Sequence, residues 1–226
     1  PRSTPLYSSA ASDVYKRQGY LSMAARRPLT SRSNALAQRL ARALSRSTIT
    51  PNQISLLSIV VAAIGAAALG LAHGVWALLL AALMIQLRLL CNLLDGMVAV
   101  EGGKGTPTGA LYNEVPDRIA DSLLLIALGF ACGWPQLGWL AALLAALTAY
   151  IRVLGGTLGL PQDFRGPQSK PQRMAALTLG CLIGALELAT LGTQWSLKIA
   201  LGVIVLGTAL TCALRLLRIA RALKSR

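Results

Sequence analysis

Five of the eight acidic residues in this 226-residue chain fall between positions 95 and 121: Asp95, Glu101, Glu114, Asp117 and Asp121. Asn92 and Asp95 stand at i,i+3 and share one helix face. Asn113, Asp117 and Asp121 follow at i,i+4 spacing and share another. Two antiparallel helices joined by the short stretch 101–108 can bring these faces together. The set then offers three carboxylates and two amide oxygens, hard ligands suited to Mg²⁺ or Mn²⁺ and, through the metal, to substrate phosphates. Arg88, one turn before Asn92, adds a positive charge to the same face. Within apolar surroundings such carboxylates each cost about 2.5–3.5 kcal/mol at a helix centre, so a cation or a substrate must compensate them.

The elements that must carry these residues are membrane helices. The composition is 54% hydrophobic and only 13% charged, with a mean hydropathy of +0.58. Apolar runs of about 20 residues, enough to cross a bilayer core as a helix, recur at 54–72, 75–99, 110–132, 136–155, 173–192 and 197–215. The predicted fold is therefore all-α: six transmembrane helices preceded by an amphipathic interfacial helix. That helix is expected over 32–46, with Leu36, Leu40 and Ala43 on one face and Arg39, Arg42 and Arg46 beside them. Pro51 is placed to open the first span.

The net charge of +14 lies in the N-terminal arm, one central loop and the C-terminal tail, all flanking apolar spans. This distribution fits loops facing anionic lipid and excludes a nucleic-acid-binding surface. The loops near His73, at 132–135 and at 192–196 carry no Lys, Arg, Asp or Glu, and Trp76, Trp134, Trp139 and Trp195 gather around them. The positive-inside rule then places both termini and the acidic cluster in the cytoplasm, with a bacterial inner membrane the expected location. The division along the chain is a non-native or disordered leader at 1–22, a basic arm at 23–53, the six-helix domain at 54–215 and a basic tail at 216–226, read as a surface anchor. Cys91, Cys132, Cys181 and Cys212 lack metal or disulfide spacing and read as packing residues. Pro116 removes a hydrogen bond just before Asp117. Glu187 lies near the outer end of the fifth span.

The stretch NLLDGMVAVEGGKGTPTGALYNEVPD (92–117) resembles the signature of the CDP-alcohol phosphatidyltransferases, D-x2-D-G-x2-A-R-x8-G-x3-D-x3-D. Asp95, Gly96, Ala99, Gly109 and Asp117 are in register. Asn92 and Asn113 replace two acids, and Val100 replaces the arginine. The resemblance extends to the six-span layout and to the TPN before the first span.

It implies a membrane transferase of phospholipid biosynthesis. The expected reaction moves a phosphatidyl or related group from a CDP-linked donor, CDP-diacylglycerol foremost, to an alcohol, releasing CMP. The site it implies has Asp117 as base, with one or two Mg²⁺ or Mn²⁺ ions held among Asn92, Asp95, Asn113, Asp117 and Asp121. Gly96, Ala99 and Gly109 would lie at the nucleotide, with Arg88 supplying the charge missing at Val100. Arg165, Lys170 and Arg173, in DFRGPQSKPQRM, form an expected phosphate pocket, against the plainer reading of a charged loop. Family members often pair through their membrane helices, which makes a homodimer possible. A non-catalytic scaffold of the same fold and an ion-coupled transporter are the competing readings. The transporter expects polar groups near mid-membrane and broken helices, whereas these acids gather at one end.

Overall fold

The computed structural model describes residues 35–225. The predicted leader and the first part of the basic arm lie outside the described residues. Seven helices follow in order: α1 Ala35–Ser45, α2 Pro51–Gly70, α3 Val75–Glu101, α4 Gly109–Ala131, α5 Pro135–Thr157, α6 Lys170–Leu191 and α7 Trp195–Lys224.

Each boundary has a local cause. Thr50 caps α2: its hydroxyl accepts from the Gln53 N–H while the Gln53 side chain accepts from the Thr50 N–H, and Pro51 occupies the first turn. Pro135 and Pro171 open α5 and α6 in the same way. Gly192, at φ 69°, stops α6 in the left-handed conformation that favours glycine.

The long helices close a ring. Going round it, α2 packs on α3, α3 on α6, α6 on α7, α7 on α5, α5 on α4, and α4 back on α2. The interior mixes large side chains, among them Ile85, Leu124, Leu128, Met174, Leu177 and Leu201, with small ones. Ala62, Ala81, Ala82, Ala120, Ala141 and Ala145 are buried, while Leu57, Val60, Leu179 and Leu206 point outward. Large apolar side chains on the outer surface suit lipid as the solvent, and the buried alanines let the helices associate by close van der Waals approach. Backbone meets backbone at Gly129 of α4 and Gly138 of α5: a Cβ at Gly129 would stand 2.6 Å from the Gly138 Cα.

Five helices, α2, α3, α5, α6 and α7, are long and apolar enough to cross a membrane, which marks an integral membrane protein. The sixth expected span, α4, is 23 residues long but carries Glu114, Asp117, Arg118 and Asp121 in its first half. Its composition alone therefore does not mark it as a span.

The ring has two distinct ends. At one, short turns join α2 to α3, α4 to α5 and α6 to α7, with Trp76, Trp139 and Trp195 exposed. Glu187 takes a structural role there: its carboxylate accepts from Thr193 Oγ1 (2.6 Å) and from the N–H groups of Trp195 (2.8 Å) and Ser196 (2.9 Å). It thereby satisfies the free donors at the start of α7. The other end carries α1, the 102–108 loop and the 158–169 loop. Ala37 and Ala41 of α1 are buried against Ile54, Leu94, Met97 and Val98, while Arg39, Arg42 and Arg46 are exposed. The Lys104 ammonium donates to the carbonyls of Ser47 (2.5 Å), Ile49 (3.2 Å) and Leu44 (3.3 Å), fixing the α1–α2 turn to the α3–α4 loop. The predicted tail is no separate element. α7 runs unbroken through it to Lys224.

Candidate active site

The acidic cluster sits at this charged end, where α3, α4 and α6 face one another. α3 contributes Arg88, Asn92 and Asp95 along one face. α4 contributes Asp117 and Asp121. α6 brings Lys170 and Arg173 from its first turn. The α3–α4 pairing expected from the sequence is made by side chains across the interior: the Asn92 amide and the Arg88 guanidinium (3.2 Å) both donate to Asp117 Oδ1.

Asp117 is the most heavily shared group. Besides those two bonds, its Oδ2 is paired with the Lys170 ammonium and lies 3.7 Å from Arg118, and its carbonyl accepts from Arg88 at 3.3 Å. Asp121 is enclosed between two guanidinium groups, Arg88 at 2.6 Å on Oδ1 and Arg173 at 3.2 Å on Oδ2. Asp95 differs. Its Oδ2 accepts from Ser55 of α2 at 2.7 Å, while its Oδ1 is buried with no hydrogen-bond partner. An ionised carboxylate oxygen left bare in a buried position is costly, so it marks a place for a cation. Among the described residues no three His, Cys, Asp or Glu side chains converge as a metal cluster. An ion beside Asp95 would thus draw on amide and substrate oxygens as well.

The remaining expected residues divide. Gly96 and Ala99 lie half-buried in the last turns of α3, and Asn113 is exposed in the first turn of α4. Gly109 opens α4, where a Cβ would meet only Thr106 Oγ1, at 3.6 Å. Nothing in the protein itself therefore requires a glycine there. Arg88 is fully enclosed and turned to carboxylates. The three basic residues of the α5–α6 connection do not form one group. Lys170 reaches Asp117 and Arg173 reaches Asp121. The exposed Arg165 side chain pairs with Asp163 (2.9 Å), which also accepts from Arg218 (3.1 Å). Burial alone would raise the Asp163 carboxyl, but the hydrogen bonds from Arg165 and Arg218 outweigh it and hold it below the usual carboxylate range.

Several supporting residues were not read from the sequence. Ser55 holds Asp95. Arg152 ties Glu114 of α4 (2.5 Å) to Gln162 of the 158–169 loop (2.8 Å). Arg215 of α7, buried, donates to the carbonyls of Thr148 (2.7 Å) and Arg165 (3.0 Å). Arg173 also donates to the Gln168 carbonyl (2.9 Å), and the Gln168 N–H donates to Thr211 (3.0 Å). The only sequence signal for Ser55 was a hydroxyl at i,i+3 from Ser58 in an apolar run.

Comparison with known proteins agrees with this geometry. Residues 48–217 match the CDP-alcohol phosphatidyltransferase family model. The chain is 33% identical over 172 residues to the archaetidylinositol phosphate synthase of Aeropyrum pernix, covering 75% of this chain and 84% of that protein. It is also 33% identical over 151 residues to the bifunctional IPC transferase and DIPP synthase of Rubrobacter xylanophilus. That match covers 64% of this chain but only 34% of the longer relative.

Among solved structures, phosphatidylinositol phosphate synthase of Mycobacterium tuberculosis shares the fold at 22% identity. With CDP-DAG bound it gives a TM-score of 0.68 over 82% of this chain and 94% of that one. In complex with manganese and citrate it gives 0.69 over 81% and 88%. With the signature positions gathered at one end of a helical ring and a family match over most of its length, the chain belongs to the CDP-alcohol phosphatidyltransferase family, membrane transferases that carry a phosphate-linked group from a CDP-activated donor to an alcohol in phospholipid biosynthesis.

Proposed function

We propose that this chain transfers a phosphatidyl-type group from CDP-diacylglycerol to a phosphorylated cyclitol of the inositol phosphate kind. The observation that carries the reading is the pair Asp95 and Asp117 facing one another across α3 and α4, with Asp95 Oδ1 buried and unpartnered. The names of the relatives support the acceptor. So do two partly exposed cations beside Asp117, Lys170 and Arg118, whose side chains are 21% and 27% exposed and can receive an acceptor phosphate.

The donor set fits a divalent metal, Mg²⁺ or Mn²⁺, held by Asp95 and the Asn92 amide oxygen, with Asn113 near the opening. When bound, such an ion neutralises the diphosphate and stabilises the departing CMP. The chain's own residues do the rest. Gly109 leaves room for the nucleotide to approach the backbone, with Gly96 and Ala99 on the facing helix. Asp117 takes the proton of the acceptor hydroxyl. The hydroxyl oxygen forms its bond to the lipid-bearing phosphorus as the bond from that phosphorus to CMP breaks, and CMP leaves with the electron pair. Asn92 and Arg88 hold the Asp117 carboxylate in place.

In this reading α4 is the sixth span. Asp117 and Asp121 are buried inside the ring, and the apolar stretch 123–130 reaches the tryptophan-bearing end. The charged end faces the cytoplasm by its excess of Lys and Arg, with α1 lying at the membrane surface. The test is CMP release from CDP-diacylglycerol by the purified protein, with Mg²⁺ or Mn²⁺ against EDTA, and with inositol phosphate against unphosphorylated inositol. Metal-dependent release that rises with the phosphorylated acceptor and disappears in Asp95→Ala is expected. Release that responds equally to both acceptors removes the phosphate-recognition part of the reading, and no release under any condition removes the reading itself.

A further inference from the structure

Two of the four acidic positions of the signature are amides here, Asn92 and Asn113, so the signature contributes two carboxylates, Asp95 and Asp117. The structure gives these two very different surroundings. Asp117 is already compensated by fixed cations: Arg88 at 3.2 Å on one oxygen and the Lys170 ammonium on the other. Asp95 receives a single neutral hydroxyl and keeps one oxygen bare. Asp121, which could have served as a spare ligand, is turned to Arg88 at 2.6 Å and is 1% exposed.

We propose that Arg88 and Lys170 stand in for a metal ion at Asp117, so that this chain holds one divalent cation, on the Asp95 side, and no second. The inference rests on the metal-dependent reading above. Its physical basis is charge compensation. With fewer carboxylates, a second divalent ion beside a guanidinium and an ammonium would meet net repulsion. The cations present already satisfy the oxygens that ion would need. Arg88 is fitted to this use because it stays charged when wholly enclosed and because α3 carries it one turn from Asn92, on the metal-facing side. Lys170 is fitted to it because it enters from α6 and meets the opposite oxygen of the same carboxylate. Both are positioning residues: they hold Asp117 and set its charge environment.

The test counts metal. The purified full chain in detergent is titrated with Mn²⁺ and the free ion is followed by its electron spin resonance, with metal analysis after gel filtration. One ion per chain is expected, and still one in Asn92→Asp, because the ammonium keeps its place. Two are expected in Asn92→Asp combined with Lys170→Gln, and one again when Lys170→Arg replaces Lys170→Gln in that pair.

Two ions in the unaltered chain or in Asn92→Asp overturn the inference and leave the transfer reaction standing. A single ion in the Asn92→Asp, Lys170→Gln protein overturns it too, since the cation then had no competing ion to exclude. No ion in any form overturns the metal-dependent reading itself. If the double variant does not run as a single gel-filtration species, the counts for the unaltered chain and Asn92→Asp decide the matter.

Discussion

The two ends of the helical ring are held by different means. At the tryptophan-bearing end the contacts are short in sequence. Gly129 meets Gly138 across a three-residue turn, and Glu187 caps the helix that begins eight residues later. At the charged end the bonds cross long stretches of chain: Asp117 to Lys170, Asp121 to Arg173, Thr148 to Arg215. The first end can form from local sequence. The second exists only when the whole ring has closed, and it gathers the buried charged side chains among the described residues. The proposed chemistry and long-range assembly thus rest on the same residues, which leads to the expectation that the opposite end can be altered without touching that chemistry.

The largest break in this comparison is expected at Asp117. Asp117→Asn keeps the shape of the side chain but removes its basicity and one of its two acceptor oxygens. CMP release should fall by about 10²–10⁴-fold, the usual contribution of a general base, while the protein stays folded by gel filtration. Full activity in this variant would remove Asp117 as the base. Asp121→Ala is expected to act on stability. It strips Arg173 of its only carboxylate partner and leaves Arg88 with Asp117 alone. Removing one member of a buried pair costs about 3–5 kcal/mol, to be read as loss of the thermal transition in detergent. A variant that melts like the parent would mean water already reaches these guanidinium groups.

At the other end the prediction changes character. Gly129→Ala places a Cβ 2.6 Å from the Gly138 Cα, against backbone that no rotamer change can relieve. Such overpacking costs about 1–3 kcal/mol. The melting temperature should drop, while CMP release per folded molecule stays at the parent level. A fall in turnover per folded molecule would show the two ends to be coupled, contrary to the division drawn above.

This division also explains what could be read in advance. The helices were legible because each is an apolar run, and the start of α2 because Thr50, Pro51 and Gln53 are a local signal. The α3–α4 face was legible because Asn92, Asp95, Asn113 and Asp117 repeat at helical spacing on either side of a short loop. The partners of those residues were not legible. Arg165, Lys170 and Arg173 look alike within ten residues of sequence, yet they meet three different acids, and only ring closure decides which. Arg215 looked like no more than the end of the last span because nothing nearby in sequence marks the carbonyls of Thr148 and Arg165 as its acceptors. Glu187 looked like an intramembrane acid because its role depends on where the next helix begins. The sixth expected span, 110–132, is the one that length and composition do not mark in α4, because Glu114, Asp117, Arg118 and Asp121 interrupt it.

The smallest expected effect lies between the two regimes, at Asp163. This residue sits in the 158–169 loop and accepts from Arg165 and from Arg218 of α7, so it helps fix the segment from which Lys170 and Arg173 depart. Its carboxyl is held below the ordinary range in the folded protein. A group with a depressed folded value stabilises the protein above its unfolded value, and that contribution is lost as the pH falls through the folded one. Asp163→Asn should therefore be less stable than the parent by up to about 1 kcal/mol, because the pairs are partly exposed and screened by solvent. The gap should stay constant from neutral pH down to about 5 and close only as the pH drops below the ordinary carboxylate range near 3.8. Paired melting curves at several pH values and at low and high salt measure this directly. A gap that survives both acid and salt would mean that Asp163 acts through loop packing. The 158–169 connection would then belong with the locally built end of the molecule, not with the charge network.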